Sequence, residues 1–244
     1  MGISMGKCGK GAIPDAVLFD LDGTLIDSTE AYFMIMEIAF QRIGVPPVSR
    51  KRILNAVVDG AFLWDEVLPA TDQEEKDALI TKAWGIIREI YPQIFRDQAG
   101  LFPGAGDILK DLKAGGVKIG IATSTPRDQL EVKLFPLRES GVDQLLDAVI
   151  AADDTQRRKP AADPLLECVR QMGAAPDRSV YVGDTRADIR AGKAAGMATI
   201  GVLSGIDPYE TLKMEEPDLI IKGIVELRDT DYFPKVTGKS NPTE

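Results

Sequence analysis

The stretch VLFDLDGTLIDS, Val17 to Ser28, sets Asp20, Asp22 and Asp27 at the mouth of an apolar run. Two unit charges about 4 Å apart repel by roughly 4 kcal/mol at an effective dielectric near 20, so neighbouring carboxylates call for a cation. More polar groups follow other apolar runs: Thr123 and Ser124, Lys159-Pro160, and Asp184 with Asp188. A calcium-binding EF-hand needs Gly at its sixth position and Glu at its twelfth. Counted from Asp20, Gly23 is fourth and Ala31 twelfth, so that reading fails. A phospho-accepting receiver domain has a different order of acids and no helical insert. What fits is phosphoryl transfer through a carboxylate nucleophile. A carboxylate meets a phosphate dianion only when a cation such as Mg²⁺ neutralises both. Asp20 and Asp184 supply carboxylates for that metal, and the backbone carbonyl of Asp22 a third oxygen. The Asp22 side chain is then available as general acid and base. Thr123, the Ser124 N–H and Lys159 suit the equatorial oxygens of the transferring group.

These groups need a scaffold that brings strand ends together. Ala16–Phe19, Val117–Thr123, Asp147–Asp153, Ser179–Asp184, Met197–Val202 and Asp218–Lys222 read as buried strands. Helical segments alternate with them at Asp107–Ala114, Asp128–Glu139, Pro164–Met172 and Ala187–Ala195. That alternation predicts a Rossmann-like, doubly wound parallel sheet with both faces covered, whose ligands lie at the carboxyl ends of its strands. Residues 28–102 differ. An apolar stripe from Phe33 to Ile43 stops at Gly44 and Pro46-Pro47. Thr71 to Glu74 reads as a capping box for a second helix, which Pro92 is expected to kink or end. The segment predicts an all-helical cap, residues 28–102, inserted into an α/β core made of residues 14–27 and 103–232. Residues 1–13 and 233–244 read as tails, and the two connections near Asp27 and Pro103 as hinges.

The motifs DLDGT (Asp20 to Thr24), IATST (Ile121 to Thr125), Lys159-Pro160 and GDTRAD (Gly183 to Asp188) resemble the four motifs of the haloacid dehalogenase superfamily, in that family's order. The insert after the first motif is similar to its helical-cap subfamily, which includes phosphoglycolate phosphatases and β-phosphoglucomutases. The resemblance covers Asp15 to Tyr232. It implies Asp20 as nucleophile, Asp22 as acid and base, Thr123 and Lys159 as phosphate holders, Asp184 as metal ligand and Asp188 just behind it. An acid at Asp22 marks the phosphotransfer branch rather than the dehalogenases. Arg158 and Ala162 depart from the family's usual Gly and Pro.

The rest of the composition narrows the function. A net charge of −9 argues against a nucleic-acid groove. Two cysteines, Cys8 and Cys168, imply no disulfide framework, and no apolar run approaches a membrane span. The expected setting is cytoplasmic, as monomer or homodimer, with a small-molecule phosphate ester as partner. The leading expectation is a Mg²⁺-dependent phosphatase acting on a phosphoglycolate-like monoester. A phosphosugar mutase, a pyrophosphatase and a non-catalytic binding protein stand as alternatives. The chain has no histidine, which the resembled mutases carry after the first motif. Asp27-Ser28 reads as a helix N-cap, Arg157-Arg158 and Arg50-Lys51-Arg52 as solvated charge, and Trp64 as cap core.

Overall fold

The computed structural model describes residues 13–58, 61–69 and 72–234. In chain order, β1 (Ala16–Phe19) and β2 (Ile26–Asp27) precede the helices α1 (Thr29–Ile43) and α2 (Arg50–Asn55). Next come β3 (Val57–Val58), β4 (Ala61–Phe62), α3 (Gln73–Gln98) and β5 (Gly100–Leu101). The chain then alternates α4 (Ala105–Ala114), β6 (Lys118–Ala122), α5 (Leu130–Lys133), α6 (Phe135–Glu139) and β7 (Ala148–Ile150). It ends with α7 (Asp163–Met172), β8 (Ser179–Gly183), α8 (Arg186–Ala194), β9 (Ala198–Val202), α9 (Tyr209–Met214) and β10 (Leu219–Ile221).

Six of these strands form one sheet in the order β10-β9-β8-β1-β6-β7, all neighbours parallel. β1 lies in the middle, Ala16 facing Lys118 on β6 and Ser179 on β8. Successive side chains of a strand point to opposite faces, and β1 is buried on both. Val17 and Phe19 join one core with Ile108, Leu109 and Leu112 of α4. Ala16 and Leu18 join another with Leu165, Cys168 and Val169 of α7. Each large apolar side chain so buried stabilises the fold by about 1.5–3 kcal/mol. The expected doubly wound sheet is therefore present. Its strands are trimmed by one to three residues at several ends.

Three local expectations need correction. The predicted helix over Asp128–Glu139 is split into a 3₁₀ turn at Arg127–Gln129, α5 and α6. Pro136 has no N–H to give Val132, so the helical ladder restarts there. By contrast, α3 runs through Pro92 to Gln98. Its N-cap is Asp72, whose carboxylate accepts the Glu75 N–H at 2.9 Å; Thr71 lies outside the described residues.

The insert packs α1 against α3 around its own core of Phe33, Met36, Phe40, Ile53, Trp64 and Ala83. Among the described residues it also holds the two-residue pairing of β3 with β4 and a 3₁₀ turn at Trp64–Glu66, which the all-helical expectation did not include. Where the chain leaves and re-enters the core, β2 and β5 pair antiparallel, Ile26 opposite Leu101. The two expected hinges thus form one ribbon. At the far end Phe233, expected in a tail, is 7% exposed and part of the core. The predicted tail residues 1–12 and 235–244, with Cys8, lie outside the described residues. No described helix is long and apolar enough to cross a membrane.

Candidate active site

Three adjacent strands deliver the polar residues. β1 ends at Phe19, and the Asp20 N–H continues the ladder to Val182 O at 2.8 Å. β6 ends at Ala122, and the Thr123 N–H reaches Ile150 O at 3.0 Å. β8 ends at Gly183, placing Asp184 next to both. Parallel strands end on the same side, so residues distant in sequence meet at one edge.

Asp20, Asp184 and Asp188 are all buried, each with a carboxylate oxygen within 4.8 Å of the others'. Lys159 reaches them from the loop before α7, donating to Asp20 Oδ1 at 2.8 Å and to Asp188 Oδ1 at 2.7 Å. It also meets the Tyr181 hydroxyl at 3.0 Å, and that hydroxyl donates to Ala122 O at 2.9 Å. Asp188 is held from behind by a capping box at the start of α8: Thr185 donates its hydroxyl and N–H to Asp188 Oδ2. Asp184 accepts the Thr24 hydroxyl at 3.1 Å and the Ile206 N–H at 2.9 Å. A Cβ on Gly205 would lie 1.9 Å from Asp184 Oδ2, so only glycine allows that loop so close.

One ammonium faces three carboxylates here, and the charge is not balanced. Burial lifts Asp20 to about 7 against the pull of Lys159, with Asp188 and Asp22 adding to the rise. Burial, then Asp20 and Asp188, raises Asp184 well above the usual carboxylate range. Burial works against the charge of Lys159, but Asp188 and Asp20 together raise its pKa above the lysine norm. Closely spaced, all-oxygen donors short of positive charge suit a hard divalent cation.

Asp22 stands apart from this cluster. Its Oδ1 accepts the Ser28 hydroxyl at 2.6 Å and the Lys133 ammonium at 2.5 Å. Ser28, expected as a side-chain cap, makes no capping bond to α1, while Asp27 accepts the Thr29 N–H at 3.2 Å. Thr123 is buried, its hydroxyl accepting the Thr125 N–H at 3.1 Å, and Ser124 beside it is exposed. Sequence reading missed Thr24, Ser28, Lys133 and Tyr181. Thr24 lies inside the quoted first motif, so its position alone was a signal; Lys133 had none.

A cavity of about 360 Å³ lies between core and cap, with Asp20, Asp22, Thr123, Ser124, Lys159 and Asp184 along its core side. Asp188 does not line it, in keeping with a place behind Lys159. Across from them stand cap residues, among them Tyr32, Met36, Phe62, Trp64, Trp84 and Tyr91. Trp64 thus belongs both to the cap core and to the cavity wall. Arg157 pairs with Asp163 at 2.7 Å and Arg50 with Glu30 and Glu37, which accounts for both basic runs as surface charge.

The model of the haloacid dehalogenase-like hydrolases matches residues 17–202. A phosphoglycolate phosphatase of Escherichia coli O157:H7 is 32% identical over 232 residues, covering 86% of this chain and 90% of the relative. One from Shigella boydii is 31% identical over 231 residues, with the same two coverages of 86% and 90%. The crystal structure of a predicted phosphoglycolate phosphatase from Haemophilus somnus superposes with a TM-score of 0.75. At 21% identity, over 88% of this chain and 96% of that one, it speaks to the fold alone.

Proposed function

We infer that this chain, which belongs to the haloacid dehalogenase-like hydrolase family, is a Mg²⁺-dependent phosphatase that cleaves a small phosphate monoester through an aspartyl-phosphate on Asp20. The observation that carries this reading is the setting of Asp20. Lys159 holds its Oδ1 at 2.8 Å, and its Oδ2 has no hydrogen-bond partner among the described residues. Asp20 also lines the cavity. Oδ2 is therefore the oxygen presented to phosphorus.

Asp20, Asp184 and the backbone carbonyl of Asp22 would hold Mg²⁺, which when bound supplies the positive charge that three carboxylates and a phosphate together lack. In the first step Asp20 Oδ2 forms a bond to phosphorus as the bond to the alcohol oxygen breaks. Asp22 gives its proton to that departing oxygen. Ser28 and Lys133 fix Asp22 Oδ1, so its other oxygen is aimed by two contacts. In the second step Asp22 takes a proton from water, whose oxygen attacks phosphorus and frees Asp20. Thr123, Ser124 and Lys159 orient the phosphoryl oxygens throughout. The compound named by the relatives, 2-phosphoglycolate, belongs in the first panel of substrates.

The test is release of inorganic phosphate from a panel of monoesters, with Mg²⁺, with chelator and with Asp20→Asn. Release that needs Mg²⁺ and vanishes in Asp20→Asn is the expected result. Undiminished release by Asp20→Asn would overturn the assignment of the nucleophile, and no release from any ester would overturn the phosphatase reading.

A further inference from the structure

The cavity has two unlike halves. Its core side is carboxylate, hydroxyl and ammonium, whereas its cap side is apolar and aromatic, including Tyr32, Phe62, Trp64 and Trp84. Among the described residues, no charged residue of the cap lines it. The four cap residues outside that range are Asp59, Gly60, Ala70 and Thr71, none of them cationic. Of the basic side chains of the cap none lines the cavity, and four are engaged elsewhere: Arg42 with Glu89, Lys76 with Asp65, Arg52 with Glu66 O and Arg50 with Glu30 and Glu37.

The core's cations are also committed. Lys159 pairs with Asp20 and Asp188, Lys133 with Asp22, and Arg186 with Asp207. The phosphate's own needs are met by the reading above, but a second anion on the substrate would enter a half with no unmatched positive charge. Burying an ionised carboxylate without a partner is among the costliest events in a protein interior. The cap side also carries hydroxyls, among them those of Tyr32 and Tyr91. Tyr91 lines the cavity, and its hydroxyl is buried with no partner among the described residues. A phenol of this kind can donate to or accept from a polar atom of the substrate, and it brings no positive charge to offset a carboxylate.

We propose that the cap half is a subsite for an uncharged, mainly apolar alcohol moiety, so that the preferred substrate is a monoester of an aryl or branched alkyl alcohol rather than 2-phosphoglycolate. The proposal rests on the phosphatase reading and sets the substrate class within it. Apolar lining confers affinity in proportion to the area it buries, and the aromatic faces favour a flat body.

Two readouts separate the two claims. The chain's only two tryptophans, Trp64 and Trp84, both line the cavity, so their fluorescence reports on the cap half whether or not turnover occurs. Benzyl phosphate and 2-phosphoglycolate are compared with the full chain and Mg²⁺, by phosphate release and by fluorescence titration. Benzyl phosphate should show at least tenfold higher kcat/KM and should saturate the fluorescence change at tenfold lower concentration. Trp84→Arg, at a position 41% exposed and so able to take a cation, should shift the selectivity ratio toward 2-phosphoglycolate by tenfold or more. Equal or better use of 2-phosphoglycolate by the unaltered chain overturns the subsite while leaving a phosphatase. Absence of all turnover overturns the phosphatase reading, and the fluorescence titration still decides the subsite.

Discussion

Replacing Asp184 with Asn should make the metal-free protein more stable while disabling it. Asp184 accepts the Thr24 hydroxyl on one oxygen and the Ile206 N–H on the other. In the asparagine, the carbonyl oxygen keeps the Ile206 bond, and the Thr24 hydroxyl rotates to accept from the new amide. The net change is therefore the loss of one charge. Within a cluster whose oxygens lie inside 4.8 Å of each other, each carboxylate pair repels by about 3 kcal/mol at an effective dielectric near 20. Asp184 has two such neighbours, and the attraction of Lys159 cancels roughly one of them. Proton uptake within the cluster lowers the remainder, leaving about 2 kcal/mol of relief. For a chain of this length that raises Tm by roughly 4–8 °C. The assay is thermal unfolding in chelator at pH 8, repeated with Mg²⁺. Mg²⁺ at a hundred times its Kd should stabilise the unaltered chain by about 2.7 kcal/mol and the variant hardly at all. A lower Tm for Asp184→Asn in chelator would refute the charge argument.

Other outcomes follow from named contacts. Lys133→Met removes the ammonium from Asp22 at a side chain 14% exposed, so kcat should fall about ten- to a hundredfold, within the range of general acid–base effects, with little change in Tm; unchanged kcat would show that Lys133 does not orient Asp22. Tyr91→Phe deletes a buried hydroxyl with no partner among the described residues and should raise stability to urea by about 1 kcal/mol; a loss would show that the hydroxyl is satisfied. Arg170, with help from Gln171, lowers Glu167 to about 2, and arginines likewise lower Asp15 and Asp163. Depressed carboxylates stabilise the fold above their unfolded pKa, so this contribution is complete near pH 5 and disappears toward pH 2. Tm measured across that window should fall less steeply in high salt, because these pairs are exposed.

Sequence could place the carboxylate cluster because its residues follow strand ends. An apolar run followed by Asp, Thr or Gly-Asp is visible in one dimension, and parallel topology brings such ends together. Lys133 and Tyr181 were invisible for the opposite reason. Lys133 contacts Asp22 across 111 positions, and Tyr181 reads as one more apolar strand residue until its hydroxyl meets Lys159. Ser28 has the composition of a cap but is drawn off by a stronger charged partner. Pro92 and Pro136 show that proline position alone does not decide a break: α3 has tertiary packing on either side, whereas the short segment around Pro136 has too few turns to carry the ladder across.

The middle position of β1 also governs when the protein can become whole. Its neighbours in the sheet begin at Lys118 and Ser179, so the strand that carries Asp20 must await partners synthesised far later. At about 5–20 residues per second the first of them emerges on the order of ten seconds after β1 does. By the end of that interval the residues of α1, α2 and α3 have all been synthesised, while Val17, Leu18 and Phe19 still have no sheet to enter. The cap thus precedes most of the sheet that it covers, and closure of that sheet waits on the late partners of a four-residue strand.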